Sequence, residues 1–523
     1  MDTKALRQKV LDLAIRGKLV PQDPNDEPAS VLLERIRQQK QQMVKDGKLK
    51  AKDIKNDTII FVGEDNLHYE KFADGSVKCI EDEIPFDLPD GWAWSRLLPL
   101  TIKIGAGSTP TGGAAVYSDF GVKFIRSQNV YNDGLVLDDI AYISEDINHK
   151  KSGSIVKPKD ILLNITGGSI GRCALVPDDF DTANVNQHVI IIRLVEPALR
   201  QYIHSVITSP YIQEQIFSRQ VGSGRGGLSA ETLSTFLVAV PPIQEQSVIQ
   251  DKLRQCISSI STIAAEKTDI TRLVSAAKAK ILDLAIRGQL VPQDPADEPA
   301  SVLLERIRAE KEELIKQGKI KRDKKESVIF RGEDNSYYEK MGNKVEKIDD
   351  EIPFELPNGW TWCRFSEVIE LFSGQDLTPD KYSDIPQGIP YITGASNLEN
   401  GCVIVNRWTS SATTHATIGD LLLTVKGSGI GKMAICDIED AHIARQIMAL
   451  RCRNGIRQEY LRIVVSAFLT EITDQANGII PGIRREVVLG TLFPLPPSSE
   501  QLKISAKANC IIAKLQMIEK SLS

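Results

Sequence analysis

Apolar residues alternate at spacings of four and three along residues 243–287, a segment without proline or glycine. This alternation predicts one long helix with a coiled-coil seam. At about 1.5 Å per residue, roughly 45 residues would span about 65 Å, the length of a spacer between domains. The seam has one charged member, Lys267, and consists of Ile249, Leu253, Cys256, Ile260, Ile263, Lys267, Ile270, Val274, Ala277, Ile281 and Leu284.

The same spacing recurs at both ends of the chain. It includes Ile504, Ala508, Ile511, Leu515, Ile518 and Leu522 at the C-terminus, and Leu6, Val10 and Leu13 at the N-terminus. When the two repeats are aligned, the C-terminal helix followed by the N-terminal helix matches the apolar pattern of the central helix. The break between these two helices falls opposite Lys267. The sequence therefore predicts two long antiparallel helical elements, a pseudo-twofold circular repeat, and a globular domain at each end.

The repeat also covers the segments between the helices. Lys9–Arg37 returns as Lys280–Arg308 with three changes, Val10/Ile281, Lys18/Gln289 and Asn25/Ala296. A period of about 270 residues is far longer than a solenoid or propeller unit, so each copy is predicted to be a domain-sized unit. The copies diverge after a Trp-x-Trp motif and converge again at a Pro-Pro-x-x-Glu-Gln motif.

The divergent domains, at about residues 91–240 and 359–495, have strand-like apolar runs at 160–165, 189–194, 419–425 and 447–450. Glycine and serine turns separate these runs. The predicted fold class is therefore α/β (mixed α+β). Polar residues cluster at the turns, where recognition loops usually lie.

Composition is that of a globular protein, with 42% hydrophobic and 25% charged residues among 523. No apolar stretch approaches the roughly 20 residues of a membrane span, and the N-terminus lacks the apolar core of a signal peptide, so a cytoplasmic location is expected. The eight cysteines include no Cys-x-x-Cys pair, which predicts reduced thiols and no metal site.

The formal net charge of −5 hides local basic character in the divergent stretches. The basic residues there are Lys150, Lys151, Lys157, Lys159, Arg172, Arg193, Arg219, Arg225, Lys426, Lys432, Arg445, Arg484 and Arg485. Charges farther away than a Debye length of about 8 Å are screened, so a local basic surface can attract phosphate. The alternative for any one of them is an ordinary solvated charge.

Catalytic motifs are missing from the sequence. The segment Gly427–Lys432 resembles a phosphate-binding loop, but its glycine spacing is wrong and Met433 stands where a serine or threonine is required. We find no Asn-Pro-Pro-Tyr/Phe methylase tetrad, no His-Glu-x-x-His and no Ser/His/Asp set. The chain is therefore predicted to catalyse no reaction and to bind no cofactor.

These repeated blocks resemble those of the specificity subunits of type I restriction-modification systems. The matching elements are LDLAIRG-LVPQDP-DEPAS-LL, the LP-GW-W entry to each divergent domain and the PP-EQ entry to each long helix. The resemblance implies two target recognition domains, each reading half of an asymmetric bipartite site in double-stranded DNA, with the helices fixing the gap.

It also implies assembly in a bacterial or archaeal cytoplasm with two modification subunits, which carry S-adenosylmethionine and methylate adenine. Two restriction subunits, with an ATP-driven translocase and a nuclease that needs Mg²⁺, would complete the complex. The rival interpretations are a protein–protein scaffold with two ligand-binding domains, and an autonomous DNA methylase.

The predicted domains run in sequence order. They are an N-terminal helix (1–17); a repeated region for partner-subunit contact (18–87); a first DNA specificity domain with the start of the central helix from about 243 (88–265); the second half of that helix (266–288); a second repeated region (289–355); and a second specificity domain with a C-terminal helix from about 498 (356–520). Within the repeated regions, the polar blocks near Pro21–Ser30 and Pro292–Ser301 are assigned to partner subunits.

Candidate DNA-binding residues follow from side-chain chemistry, since arginine pairs with guanine and asparagine or glutamine with adenine. In the first copy they are Arg126, Ser127, Gln128, Asn129, Ser169, Arg172, Asn184, Asn186, Gln187, His188, Ser223 and Arg225. In the second they are Thr393, Asn397, Lys426, Ser428, Lys432, His442, Arg445 and Gln446, with the two lysines directed at the DNA backbone. The alternative for each is a turn cap or an internally satisfied polar group. Trp92, Trp94, Trp360 and Trp362 are predicted to pack the domains instead.

Overall fold

The computed structural model describes residues 2–112, 116–220, 227–320, 322, 326–399, 401–474 and 482–522. It contains two compact units, Met1–Glu266 and Lys267–Ser523, which are described separately below. None of the described helices has the length and apolar character needed to cross a membrane.

Unit 1 combines short helices with small sheets. Its helices are α1 (Thr3–Ile15), α2 (Ala29–Lys45), α3 (Ala51–Ile54), α4 (Glu145–Lys150), α5 (Arg200–Thr208), α6 (Pro210–Ser218), α7 (Ala230–Ser234) and the first part of α8 (Ile243–Ile286). Its strands are β1 (Ile59–Val62), β2 (His68–Lys71), β3 (Val77–Cys79), β4 (Ala93–Arg96), β5 (Thr101–Ala106), β6 (Val122–Ile125), β7 (Val130–Tyr131), β8 (Gly134–Leu135), β9 (Ala141–Ile143), β10 (Ile155–Val156), β11 (Ile161–Asn164), β12 (Cys173–Leu175), β13 (Ala183–Val185), β14 (Val189–Leu194) and β15 (Leu237–Val240).

Unit 2 repeats this plan. Beyond the second part of α8 its helices are α9 (Ala300–Lys316), α10 (Phe365–Val368), α11 (Gln458–Ala467), α12 (Leu469–Asp474), α13 (Arg485–Gly490) and α14 (Ser498–Leu522). Its strands are β16 (Ser327–Arg331), β17 (Tyr337–Met341), β18 (Lys344–Lys347), β19 (Thr361–Arg364), β20 (Ile369–Ser373), β21 (Ile389–Ile392), β22 (Leu398–Glu399), β23 (Cys402–Val403), β24 (Trp408–Thr409), β25 (His415–Ala416), β26 (Leu421–Thr424), β27 (Met433–Ile435), β28 (Ala441–Ile443), β29 (Ile447–Cys452) and β30 (Leu492–Leu495).

Two four-stranded sheets organise the divergent domain of each unit. In unit 1 the orders are β12-β11-β14-β5, which is antiparallel, and β10-β13-β6-β9, in which β13 and β6 are parallel. Unit 2 has the matching orders β27-β26-β29-β20 and β24-β21-β28-β25, with β21 and β28 parallel. The predicted mixture of helix and strand is confirmed.

The central strands are apolar throughout because both of their faces are buried. Side chains alternate across a strand, and Ile161 and Leu163 belong to one apolar cluster, whereas Leu162 belongs to another. Leu421 and Leu423 are separated from Leu422 in the same way in unit 2. Each antiparallel sheet therefore lies between two cores, which explains the continuous apolar runs in the sequence.

Each part of α8 makes side-chain contacts with the terminal segment of its own unit. In unit 1, Arg7 Nη2 donates to Ser261 Oγ at 3.2 Å, and Gln22, after α1, bonds to Glu245 near the start of α8. In unit 2 the Nζ of Lys278 lies 2.6 Å from a carboxylate oxygen of Glu519 in α14. The heptad register beyond these contacts stays a prediction.

A buried glutamate fixes the start of the long helix in unit 1. Trp92 Nε1 donates to Glu245 Oε2 at 2.8 Å, and Gln22 Nε2 donates to Oε1 at 3.2 Å. Gly17 lies beside this site at φ +65°, and a Cβ there would lie 2.3 Å from Cγ of Pro89, so glycine is required both by the backbone and by the close approach.

Unit 2 repeats the arrangement, with Trp360 and Gln293 bonded to Glu500 at 2.9 and 3.1 Å. All four tryptophans of the Trp-x-Trp motifs are buried, so the prediction that they pack the domains is confirmed. Gln22 and Gln293 lie in the blocks predicted to contact partner subunits, but each of them bonds to a glutamate inside its own unit.

Candidate nucleic-acid interface

In unit 1 a three-residue turn, Asn186 to His188, lies where several strands end. It follows β13 and precedes β14. The Asn186 amide donates to the carbonyl of Ile125, at the end of the parallel strand β6, at 3.1 Å. The carbonyl of His188 accepts from the amide of Ile165, just after β11, at 3.0 Å. Gly107, after β5, approaches so closely that a Cβ there would lie 1.8 Å from the carbonyl oxygen of Val185.

In unit 2 the equivalent turn consists of Ala444, Arg445 and Gln446. The Ala444 amide donates to the carbonyl of Ile392 at 2.9 Å, and the carbonyl of Gln446 accepts from the amide of Val425 at 2.8 Å. The turn thus joins the ends of β21, β26 and β28 at one edge, as in unit 1. Equivalent positions carry different side chains, since Gln187 and His188 correspond to Arg445 and Gln446.

Two predicted base-reading asparagines shape neighbouring turns from inside. Asn129 accepts from the Arg126 amide at 3.0 Å and donates to the carbonyl of Val136 at 3.0 Å. Asn397 accepts from the Thr393 amide at 3.0 Å and donates to the carbonyl of Ile404 at 2.7 Å. Both side chains are buried. Their amides are occupied by the backbone, which is the turn-capping alternative raised by the sequence.

Asn184 and His442 are also directed inward instead of presenting polar atoms at the surface. Asn184 is fully buried and donates to Asn148 Oδ1 at 3.0 Å while accepting from Ser154 Oγ at 2.6 Å. His442 Nε2 lies 3.0 Å from the carbonyl oxygen of Gln375, and its ring stacks on Tyr391 with centroids 5.0 Å apart. Burial lowers the pKa of His442, which favours the neutral ring.

The exposed candidates lie on the turn itself. In unit 1, Gln187 is exposed and contacts both Thr109 and His188, whose Nδ1 lies 2.6 Å from Thr166 Oγ1. Asn186 accepts the His188 amide at 3.1 Å and is buried. A glutamine amide and an imidazole are thus held at the surface by two threonines.

In unit 2 the exposed candidates are Arg445 and Gln446 on the turn, together with Lys426, Ser428 and Lys432. Arg445 Nε lies 2.6 Å from Asp376 Oδ2, and both side chains are well exposed. Exposed ion pairs contribute at most about 1 kcal/mol, so this arginine can exchange its carboxylate for another acceptor at small cost.

The remaining candidates surround these turns. In unit 1, Arg126 donates to the carbonyl of Asp139 and Gln128 donates to its carboxylate, while the carbonyl of Ser127 accepts from Asn164 Nδ2. Arg172 lies 4.5 Å from the ring centroid of Tyr131, and Ser169 ends a 3-10 turn. In unit 2, Thr393 donates to Asn397, Lys432 Nζ lies 3.5 Å from the carbonyl of Ala395, and Ser428 is exposed. Ser223 and Arg225 lie outside the described residues.

Sequence reasoning missed Thr109, Thr166 and Asp376, which hold the exposed candidates in place. For Thr109 and Asp376 the available signal was the glycine two residues earlier, Gly107 and Gly374, where a Cβ would collide with a carbonyl. Within the described part of the chain, no group of three or more histidine, cysteine or acidic side chains could hold a metal ion.

Comparison with known proteins agrees with this geometry. Residues 101–272 match the family described as the type I restriction modification DNA specificity domain. The EcoAI specificity subunit of Escherichia coli is 27% identical, and the alignment covers 97% of this chain and 89% of that protein. Residues 101–272 are therefore similar to that DNA specificity domain, and the chain as a whole is similar to type I specificity subunits.

The EcoEI specificity subunit of Escherichia coli is 28% identical, with 96% of this chain and 87% of that protein aligned. A chain from a solved structure on complex assembly and conformational transition of the type I R-M system has a TM-score of 0.55 at 18% identity, covering 84% of this chain and 94% of that one. At this identity the likeness supports the fold alone.

Proposed function

We propose that this protein is the non-catalytic DNA-recognition subunit of a type I restriction-modification complex, in which each unit reads one half of an asymmetric bipartite site. One observation carries the proposal. The two units hold equivalent turns on equivalent strand ends, yet Gln187 and His188 in one are replaced by Arg445 and Gln446 in the other.

The chemistry of these side chains suits base edges in the major groove. Arginine pairs with guanine through two hydrogen bonds, and glutamine pairs with adenine in the same way. Lys426 and Lys432 are exposed near the same edge of unit 2 and provide phosphate contacts, which position a protein on DNA without reading its sequence.

The proposed partners are double-stranded DNA, two modification subunits and two restriction subunits. S-adenosylmethionine would be held by the modification subunits, and ATP and Mg²⁺ by the restriction subunits, with none of them on this chain. The missing methylase tetrad supports the assignment of methylation to the modification subunits.

Domain exchange tests the proposal directly. Residues 91–240 are replaced by the same domain of a related subunit, and the methylome is sequenced in a host that also supplies the modification subunits. One half of the methylated site should change while the other half stays the same. A change in both halves, or in neither, would refute the two-reader proposal.

Two further measurements separate the rival interpretations. Binding to DNA should weaken steeply as salt rises, because contacts to phosphate release counterions, whereas a protein–protein scaffold would have no such DNA affinity. The purified chain should not bind S-adenosylmethionine, and binding would favour an autonomous methylase.

A further inference from the structure

A basic cavity of about 500 Å³ lies beside β5, the edge strand of the antiparallel sheet of unit 1. Lys103 lies on this strand, and Arg193 lies on the neighbouring β14. Lys157 comes from the turn before β11, and Lys48 from the segment after α2. These four cations define what we call the lysine cavity.

Part of the charge around the cavity is neutralised within the unit. Arg193 donates to both carboxylate oxygens of Asp160, each at 2.7 Å. Lys40, which also lines the cavity, lies 2.7 Å from Asp57. The exposed Asp53 is a lining residue too. The remaining cations have weaker partners or none.

Lys103 and Lys157 form no ion pair with any described carboxylate. The ammonium of Lys103 donates to the carbonyl of Gly153, a neutral group, and the side chain of Lys157 makes no hydrogen bond with the described residues. An ammonium has three donors, so both lysines keep donors for an acceptor in the cavity. Burial, and then the charge of Arg193, lower the pKa of Lys103, so the protein around this lysine opposes its charge.

The pairing of the strands is itself unfavourable for these charges. Lys103 on β5 lies directly opposite Arg193 on β14, and like charges in that position destabilise a strand pair. A charged residue does protect an edge strand against pairing with another molecule, but a carboxylate supplies such a charge as well. Edge protection therefore does not explain why residue 103 is a cation, whereas a ligand of opposite charge does.

Unit 2 has the same arrangement with the opposite charge. Arg451 bonds to both oxygens of Asp420, but the residue opposite it on β20 is Glu370. Thr417 takes the place of Lys157, and its hydroxyl accepts from Arg451 at 2.8 Å. The arginine of unit 2 is thus neutralised by its neighbours. The excess of positive charge at these positions is specific to unit 1.

Size and position favour a small ligand over the DNA backbone. The volume lies within the roughly 300–1,000 Å³ of small-molecule sites. Lys103 comes four residues before Gly107, which places it about 13 Å along the strand from the end that meets the recognition turn. A backbone contact shared by two DNA-reading units would keep its cations in both, but unit 2 carries Glu370.

We propose that the lysine cavity binds a small polyphosphate anion. Phosphate oxygens accept charge-assisted hydrogen bonds from lysine and arginine, and such bonds are about twice as strong as neutral ones. The cations approach from three parts of the unit, which suits a ligand that carries its charge on several phosphate groups. The ligand would join the segment after α2 to β5, and so the repeated region to the divergent domain.

Calorimetry of the full chain with sodium tripolyphosphate, at constant ionic strength, tests the proposal. Lys103→Glu with Lys157→Thr gives unit 1 the residues of unit 2. This double variant should weaken binding by about 100-fold or more, because two charge-assisted hydrogen bonds are lost. Lys103→Arg keeps the charge and should retain binding.

The double variant should fold, because glutamate opposite Arg193 is an opposite-charge pair. Its melting temperature should equal or exceed that of the wild-type chain. Tripolyphosphate should raise the melting temperature of the wild-type chain but not that of the double variant. Lys150→Glu with Lys252→Thr is the matched control, since it makes the same charge change at two exposed lysines outside the cavity, and it should bind as the wild-type chain does.

Two other probes distinguish the chemistry and the source of the ligand. Citrate carries several carboxylates, and it should bind more weakly than tripolyphosphate. A short DNA duplex of unrelated sequence carries phosphodiesters, and its affinity should be the same for the double variant and the matched control.

Three results would overturn the proposal. The first is a wild-type chain that does not bind tripolyphosphate at millimolar concentration, or a folded double variant that binds it equally well. The second is citrate binding as tight as that of tripolyphosphate, which would make the cavity a general anion site. The third is a double variant that loses duplex affinity while the wild-type chain ignores tripolyphosphate, which would assign the cavity to the DNA backbone.

Discussion

Arg96 should be the main attachment of the β1-β2-β3 sheet to unit 1. Its guanidinium donates to both oxygens of Glu70, at 3.2 and 2.7 Å, and to Glu83 at 2.7 Å. It also donates to the carbonyl of Thr235 at 2.9 Å. Arg96→Met removes all four bonds and leaves the buried carboxylate of Glu70 with the hydroxyl of Thr58.

The burial of the Arg96–Glu70 pair determines how much stability Arg96→Met should remove. Breaking a buried ion pair from one side costs roughly 3–5 kcal/mol because a charge stays buried without its partner, whereas an exposed pair is worth at most about 1 kcal/mol. Burial alone would raise the pKa of Glu70, but hydrogen bonds from Arg96 and Thr58 lower it. Glu70→Met in the Arg96→Met background should therefore recover much of the lost stability.

Hydrogen exchange of the β2 amides measures this effect locally, without requiring two-state unfolding of the whole chain. Arg96→Met should accelerate exchange by about two to three and a half orders of magnitude, which is 3–5 kcal/mol converted at about 1.4 kcal/mol per tenfold. Lys78→Met, which removes an exposed pair with Glu83, is the control and should change exchange by about fivefold or less. Equal effects of the two variants on exchange would refute the conclusion that Arg96 is the main attachment of this sheet.

Three further outcomes follow from the structure. Burial raises the pKa of Glu245 despite hydrogen bonds from Gln22 and Trp92, so its contribution to stability is fully present below about pH 4.5 and is lost as pH rises through the folded-state pKa. Glu245→Gln should therefore make the fall of Tm shallower as pH rises above about 4.5, as thermal melts at a series of pH values would measure. Gly17→Ala should destabilise unit 1 by more than Gly47→Ala, since both have positive φ but only Gly17 is crowded, and thermal melts compare them. Inserting about four residues near position 268 in α8, roughly one helical turn, should lengthen the unread spacer in the methylome and leave both half-sites unchanged.

Much of the fold could be predicted because burial on two sides leaves a clear sequence pattern. The strands β11 and β26 lie inside predicted apolar runs. The sheets β1-β2-β3 and β16-β17-β18 were not predicted. Their outer faces are apolar, so Ile59–Val62 shows none of the alternation that identifies a half-buried strand.

The candidate site could be located only coarsely from sequence. An amide that caps a turn and an amide that reads a base are the same functional group, so composition cannot distinguish Asn397 from Gln446. The difference comes from tertiary structure: Asn397 is buried with its amide bonded to Thr393 and Ile404, whereas Gln446 lies on an exposed turn.

That difference leads to a test of base reading at the turns. Gln446→Ala removes an exposed amide without disturbing the backbone bond from Val425 to the Gln446 carbonyl. If this amide reads a base, its loss should relax one position of the second half-site by roughly 1–3 kcal/mol, or about 5–150-fold. Gln187→Ala should do the same in the first half-site only.

Asn397→Ala is the matched control because its amide is buried. It should destabilise unit 2 by roughly 1–3 kcal/mol through the unsatisfied turn groups, while the methylated sequence stays the same. Competition binding with single-base variants of the site separates these cases. If Gln446→Ala instead weakened all sequences equally and lowered the salt dependence of binding, its amide would contact phosphate, and base reading by this turn would have to be assigned to Arg445.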